Sequence, residues 1–458
     1  MNESDLELLS KEELIHMIME QAKQLAQLKV DFDALKKKVE QSQKPPTNSR
    51  NSSQPPSKDQ KSNQEKGRKR HKHGPPQGHE KHERQFVVNP DHVINLHVTK
   101  CECCQADLEE DAGYLVKVNQ ITELPEPKAK VIEVRQYQTT CEHCGQEHIA
   151  EPSAGLEMER TFGARLEATV VYYRQEQHMS YVRTRAAMHS LHGVEISEGG
   201  IDKIMQRAGN KAIEDVKDIE AEIQRSSVIH SDETSSRVEG NNYWQWVFCS
   251  VRAVLHVIRF NRSFDVIKEI MGTHQAEVWV SDCYGAQMMA ASKKHQLCLA
   301  HQLRNLKAVM EQYPKDFWAR HVHLLFRYAI HLYNHRDKVS ETVFLDQVAR
   351  IEARFDQLLN QTLDQPDPRR LQKRYQKYRQ ALFVFLYRTD VNPTNNISEQ
   401  HLRPSVIHRK VTGCFRSDWG AKSYAAMKSV IDTGALSGID PFMAIQNLFG
   451  TPALPLRV

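Results

Sequence analysis

Long apolar runs are missing from this 458-residue chain. The longest stretch of large apolar side chains is LFVFLY at 382–387, far short of the roughly 18 residues that suggest a membrane-spanning helix. A secretory signal is missing as well, because the first residues, MNESDLELLSKEEL, are acidic and lack a basic start before an apolar stretch. The chain has little net charge: 62 Lys and Arg against 58 Asp and Glu leave +4, so the average says nothing about partners. Internal repeats are absent, which argues against a solenoid. Apolar residues make up only 40%, slightly low for a globular chain and consistent with polar tails or linkers around a real core. At this length the expectation is about three domains.

What is present is unevenly spread. Residues 41–84 hold 11 Lys or Arg and 4 Asp or Glu, a local net of +7, so the rest of the chain sums to −3. This stretch is rich in Pro, Ser and Asn and has almost no apolar residues to offset the entropy of ordering. It reads as a basic linker over 44–84, either a solvated spacer or a strand that tracks phosphates through Arg68, Lys69, Arg70 and Lys72. Before it, Ile18, Leu25, Phe32 and Val39 recur every seven residues. Leu14, Leu28 and Leu35 fill the intervening position, with Gln21 as the polar exception. That pattern predicts a helix over 1–43, as a short coiled coil joining protomers or as an amphipathic helix on its own body.

Nine cysteines is an odd count, and four of them form two C-x-x-C pairs, Cys101/Cys104 and Cys141/Cys144, with 36 residues between the pairs. In a chain without a signal, this spacing points to a structural Zn²⁺ held by four thiolates rather than to disulfides. Cys103 is a competing ligand. The surrounding 85–152 alternates β-like runs with turns and reads as a zinc ribbon. Residues 153–225 turn helical, with a glycine turn at Gly193 and an N-cap at Ser197; a helix-turn-helix and plain core packing account for them equally well. From 227 the runs SSVIHSD, YWQWVFCSV, AVLHVIRF and EVWVSD read as strands, and 300–390 as a block of helices. The fold class expected is therefore multidomain α+β.

Three carboxylates have the placement that two-metal chemistry needs. Asp232 closes SSVIHSD, Asp282 closes EVWVSD, and Glu399 lies one turn into a helix that Asn395 or Asn396 would cap. Hard oxygen ligands drawn from separate segments suit two Mg²⁺ or Mn²⁺ ions. Asp at strand ends is also common in plain turns. Arg403, Arg409 and Lys410 follow Glu399 within eleven residues, as a phosphodiester substrate requires and as a salt-bridged surface would also show. Cys298-x2-His301 has ligand spacing but is too small a set for a zinc shell. His230 reads as structural, and Trp244 and Trp246 as core. The run RRLQKRYQKYR at 369–379 carries six positive charges and no acid, either a solvated face or a DNA track with its two tyrosines as stackers.

Taken in order, these pieces resemble the transposases of the insertion sequence 66 family. The resemblance rests on the zipper, NSSQPPSKD and GPPQGHE in the linker, the paired C-x-x-C ribbon, HSDET, VSDCYGA, CLAH, NNISEQHLRP, and RKVTGCFRSDWGAKSYAAMKSVIDTGALSGIDP. It implies a ribonuclease-H-like α/β core at 226–299 and 391–458, interrupted by an all-helical insertion at 300–390. It also implies a DDE transposase whose triad is Asp232, Asp282 and Glu399, binding catalytic magnesium. Such an enzyme binds the inverted-repeat ends of its element, cuts the DNA, and joins it to a target by metal-dependent polynucleotidyl transfer. The implied setting is cytoplasmic and nucleoid-associated, with accessory proteins of the same element. Family members often carry Arg after the Glu, whereas this chain has Gln400, which removes any contact by that arginine. The competing readings are a DNA-binding regulator without chemistry and a nuclease that cuts without joining.

Overall fold

The computed structural model describes residues 10–42, 48, 51–52, 84–109, 113–124, 129–152, 157–158 and 160–450. Arg68, Lys69, Arg70 and Lys72, with nearly all of the basic linker, lie outside these residues. The chain divides into two compact units. The larger comprises Met1–Gln60, Val131–Ser190 and Val194–Val458, and the smaller Lys61–Lys130 with Leu191–Gly193.

The smaller unit is sparse in regular structure. Among its described residues the β-like runs form no ladder beyond an isolated bridge between Lys100 and Asp107. The strands expected there are absent among the described residues, and the physical reason is visible. Val88, Leu96 and Leu115 stay more than 80% exposed, so no buried face rewards pairing. Within the larger unit the second cysteine pair sits in a hairpin of β1 (Gln138–Thr140) and β2 (Glu147–Ile149), paired antiparallel.

Lys11–Ser42 is one helix, as the heptads predict. Ile18, Leu25 and Phe32 are 64%, 72% and 65% exposed, so these described members of the apolar stripe are not packed on the body. That disfavours an amphipathic helix lying on its own chain.

The centre of the larger unit is a five-stranded sheet in the order β5-β4-β3-β6-β7. The strands are β3 (Val228–Val238), β4 (Asn241–Cys249), β5 (Val254–Arg259), β6 (Ala276–Ser281) and β7 (Ser292–Leu297). β3, β4 and β5 form an antiparallel meander, and β6 and β7 run parallel to β3. The β3–β4 turn places Glu239 and Gly240 both at positive φ, 51° and 79°, the hand that matches strand twist in tight hairpins. β7 has the sequence SKKHQL and carries no apolar alternation, which hides it in the sequence. Its exposed Lys293 and Lys294 guard a sheet edge.

Helices cover both faces. Phe264–Met271 packs Val266, Ile267 and Ile270 against Trp246, Phe248 and Trp279 of the sheet. The stretch 300–390, read as a block of helices, holds Leu299–Gln312, Phe317–Asn334, Glu341–Leu359, Pro366–Lys377 and Val384–Tyr387. Its core gathers Phe326, Phe355, Tyr375 and Phe383 with ring centroids 5.2–6.1 Å apart. Tyr375 is fully buried there, and Arg379 is tied to Asp356 and Glu352. In the basic run 369–379, Tyr375 and Arg379 therefore belong to the packing of these helices, while Arg369, Arg370, Lys373 and Lys377 are exposed.

Tyr181–His192 and Glu198–Ile223 form around a turn at Gly193 (φ 61°), with Ser197 Oγ capping the second helix by accepting from Gly200 N. The second helix presses on Asp418–Leu436 so closely that a Cβ at Gly209 would meet Ser423 Oγ at 2.0 Å. Ile201, Ile204 and Ala208 share a core with Met427 and Ile431. Of the two readings of this segment, core packing is the one visible in these contacts.

Candidate active site

Asp232 was expected where a strand stops. Instead β3 runs on to Val238, held by β4 through the register Asp232↔Val247. On its other side the ladder to β6 ends at His230↔Val280. Asp232 and Asp282 each lie two residues beyond that pair, so the two aspartates leave neighbouring parallel strands at the same level. One stays inside a hairpin strand, and the other starts the loop after β6.

Glu399 arrives from far along the chain. It lies in the first turn of the helix Asn396–Thr412. Asn395 stands at the N-cap position but does not cap. Its fully buried side chain donates to the carbonyl of Ser231 (2.8 Å) and faces His230 Nδ1 (3.3 Å) and Ser398 Oγ (3.0 Å). Its backbone N–H donates to the sulfur of Cys298 at 3.1 Å. One residue thus fastens the Glu399 helix to β3 immediately before Asp232. His230 is buried and structural, as expected.

Electrostatics register the convergence. Burial first, then the charges of Glu233, Asp282 and Glu399, hold the Asp232 carboxyl well above the ordinary aspartate range, against one hydrogen bond from Glu233 N. Glu233 points to the other face of the sheet. It receives Arg262 Nε (2.8 Å) and Gln287 Nε2 (2.7 Å) and is fully engaged there. Glu399 Oε1 has Arg304 Nη2 at 3.5 Å and His301 Nδ1 at 3.7 Å. Burial, then the Arg304 charge, lowers His301 to about 4, so its ring is neutral near pH 7.

Among the described residues two sets of three ligand-type side chains have their ligand atoms within 4.8 Å of one another: Cys298, His301 and Glu399, and His256, His401 and Asp432. The three carboxylates are coupled but do not form a set that tight. Burial raises the Cys298 thiol to about 11, and its sulfur already accepts a backbone hydrogen bond, so it is a poor thiolate ligand. Beside Asp282 a cavity of about 260 Å³ opens, lined in part by Tyr284, His301, Gln302, Asn305 and Arg374.

A model of the Transposase IS66 family matches residues 159–423, more than half of the chain. The chain belongs to that family. No curated protein matches it. An IS66 transposase is a DDE-type enzyme that acts on DNA by metal-dependent polynucleotidyl transfer. No helix among the described residues is long and apolar enough to cross a membrane.

The remaining residues singled out in this IS66 transposase fall in several places. Arg403 and Lys410 are exposed on the Glu399 helix, while Arg409 is half-buried and donates to Ser235 Oγ at 2.9 Å. Trp246 is core; Trp244 is half-buried, with the Arg262 guanidinium 4.6 Å from its ring centroid. Each cysteine pair makes the same knuckle. Gln105 N donates to Cys101 O and Gly145 N to Cys141 O, with Gln105 and Gly145 at φ 60° and 72°. Backbone N–H groups, of Cys104 then Cys103 and of Cys144 then His143, lower the thiols of Cys101 and Cys141. Sequence reasoning missed Asn395 as a fastener, Glu233 with Arg262, and the pair His301 and Arg304. For the last pair the signal was present as CLAHQLR, which puts His301 and Arg304 at the third and sixth positions of the helix Leu299–Gln312.

Proposed function

We propose that this transposase binds the terminal inverted repeats of its element, cuts a strand there, and joins the freed 3′ end to target DNA. The reading is supported above all by one arrangement: Asp232 and Asp282 at matching levels of parallel neighbours, with Glu399 fastened beside them by Asn395. The sheet order, antiparallel on one side of β3 and parallel on the other, supports a ribonuclease-H-like core. The helical block between Asp282 and Glu399 then is its insertion.

Three carboxylates with few compensating cations suit two Mg²⁺ or Mn²⁺ ions held by Asp232, Asp282 and Glu399. When bound, such a pair stabilises the attacking and leaving oxygens of an in-line displacement. The chain's own part is placement. Asn395 sets where Glu399 stands, Arg304 holds its carboxylate, and Glu233 is kept out by Arg262 and Gln287. Arg403, Arg409 and Lys410 would grip the phosphate backbone, which positions DNA without reading sequence. The helix Lys11–Ser42 would pair protomers through its exposed stripe, bringing two element ends together. The test is to give the full chain end-labelled terminal duplex, target DNA and Mg²⁺. Nicking followed by joined product supports transposition; nicking alone would leave a nuclease, and binding alone a regulator.

The basic linker supplies a prediction of its own. Replacing Arg68, Lys69, Arg70 and Lys72 with Ala should weaken binding to every DNA sequence. The slope of log K against log salt should flatten by about 0.9 per lost phosphate contact. An unaltered slope, measured by anisotropy across a salt series, means a spacer.

From the cysteine spacing alone we propose a structural zinc on Cys101, Cys104, Cys141 and Cys144. Metal analysis should find one zinc per chain, and Cys101→Ser and Cys141→Ser should each remove it entirely. Retention of full zinc by either variant would assign the metal elsewhere.

A further inference from the structure

The helix Pro366–Lys377 has two unlike faces. Pro368, Leu371, Gln372 and Tyr375 are its buried residues, at the i, i+3, i+4, i+7 spacing of one helical face. Tyr375 locks that face into the aromatic core, and Gln372 Nε2 donates to Gln361 O at 2.7 Å. The same spacing, two residues on and about 200° around the helix, puts Arg370, Lys373, Arg374 and Lys377 on the opposite face. That face is held rigid because its reverse side is fixed. Arg370 faces Asp367 at 3.4 Å, but no acid among the described residues pairs with Lys373, Arg374 or Lys377. Cations in a last turn complement the helix dipole, which accounts for Arg374 and Lys377 as charges. It does not account for where they stand. Arg374 lines the open cavity beside Asp282, and Lys377 follows it by one turn on the same face.

We propose that this face is a clamp for the DNA backbone: Arg374 holds a phosphate beside the one that is cut, and Arg370, Lys373 and Lys377 hold its neighbours. The proposal rests on Asp282 being a metal-binding carboxylate, since that is what places Arg374 at the scissile bond. From Arg370 to Lys377 the face runs about 10 Å, the axial length of roughly three phosphates on one strand. A guanidinium offers the fork that a phosphate accepts in pairs, and the lysines act as point charges. Carboxylates repel a polyanion, so cations fixed at their rim keep the duplex in place. Such contacts set the register of the backbone and read no sequence. They make Lys373, Arg374 and Lys377 positioning residues. They also give the site a grip on the Asp282 side, facing a different stretch of backbone from Arg403, Arg409 and Lys410 on the Glu399 helix.

The experiment uses the full chain carrying Lys373→Ala, Arg374→Ala and Lys377→Ala together. Anisotropy across a salt series should show weaker DNA binding, with the slope of log K against log salt flattened by about 2–3, at about 0.9 per lost contact. Arg374→Lys alone keeps the charge and should retain the parent slope. Melting temperatures should stay close to the parent's, because none of the three side chains has an acidic partner to lose. Place is read with single neutral methylphosphonates stepped along terminal and target duplexes. In the parent, about three consecutive positions flanking the cut should each weaken binding about tenfold. The triple variant should show no further loss at those positions, since the same contact is already gone. The duplex that carries this window, terminal or target, is the one the helix holds. An unchanged salt slope overturns the clamp and leaves a solvated face, as does a triple variant that still loses affinity at the same phosphates. In either case a parent that cuts and joins keeps the transposase reading intact. A parent that binds and never cuts overturns that reading, and with it the place of Arg374 beside a cut.

Discussion

Asp232→Asn should bind terminal DNA about as well as the parent and lose strand cleavage by more than about a hundredfold. That margin exceeds the roughly 10–100-fold typical of outer partners in metal sites, because the proposed function makes Asp232 a direct carboxylate ligand. Asp282→Asn and Glu399→Gln should match it. The structure makes Asp232 the most informative of the three. Burial and the neighbouring charges of Glu233, Asp282 and Glu399 already raise its carboxyl, so an amide there relieves repulsion and should not unfold the protein. A melting curve no lower than the parent's, with cleavage gone, separates chemistry from stability. Retained cleavage in any one purified variant counts against the triad. Glu233→Gln is the contrasting case: it breaks the contact with Arg262 rather than a ligand set, so it should shift stability before it shifts cleavage.

The segments that carry the site were legible, but their three-dimensional relation was not. HSDET, VSDCYGA and NNISEQ each put a carboxylate beside a strand or a helix start, and those elements formed as read. The strand ending was misjudged at Asp232 because SSVIHSD loses its apolar character there. β3 nevertheless continues on β4, since a hairpin partner supplies the ladder that local propensity does not. β7 escaped notice for the same reason, as SKKHQL is a strand only because β6 lies beside it. Asn395 looked like a helix cap, and nothing local distinguishes a cap from a side chain that reaches 164 residues back to Ser231. Its role depends on which strand the helix meets. The β-like runs before residue 137 illustrate the opposite failure, with apolar alternation that meets no buried face.

The largest stability effect is expected at Asp432, behind the Glu399 helix. Asp432 Oδ2 lies 2.9 Å from both His256 Nε2 and His401 Nδ1, and Oδ1 receives Lys428 Nζ at 2.8 Å. His401 is two residues beyond Glu399, so this knot joins the helix Asp418–Leu436 to β5 and to the Glu399 helix. Burial opposes ionisation of Asp432, but the hydrogen bonds from His256 and His401 and the Lys428 charge hold its carboxyl well below the usual range. Burial opposes the charge on Lys428 too, yet Asp432 and Glu176 keep it above its ordinary value. Asp432→Asn leaves a buried ammonium with Glu176 alone, 3.2 Å away. The loss should be about 3–5 kcal/mol at neutral pH, as for other buried pairs broken on one side. The sign with pH follows from the direction of the shift. A carboxyl lowered in the fold contributes fully above its unfolded value and loses that contribution as pH falls towards its folded value. The gap between parent and Asp432→Asn should therefore be widest near neutrality and narrow below about pH 4. Burial also lowers His256, so the parent should already lose some stability as pH falls below about 6.5, and the variant should lose it too. Denaturant melts of both proteins from neutral to acid pH decide the point. A pH-independent gap would mean that Asp432 acts through packing alone, and that the Glu399 helix is held by Asn395 and its apolar contacts without this charge.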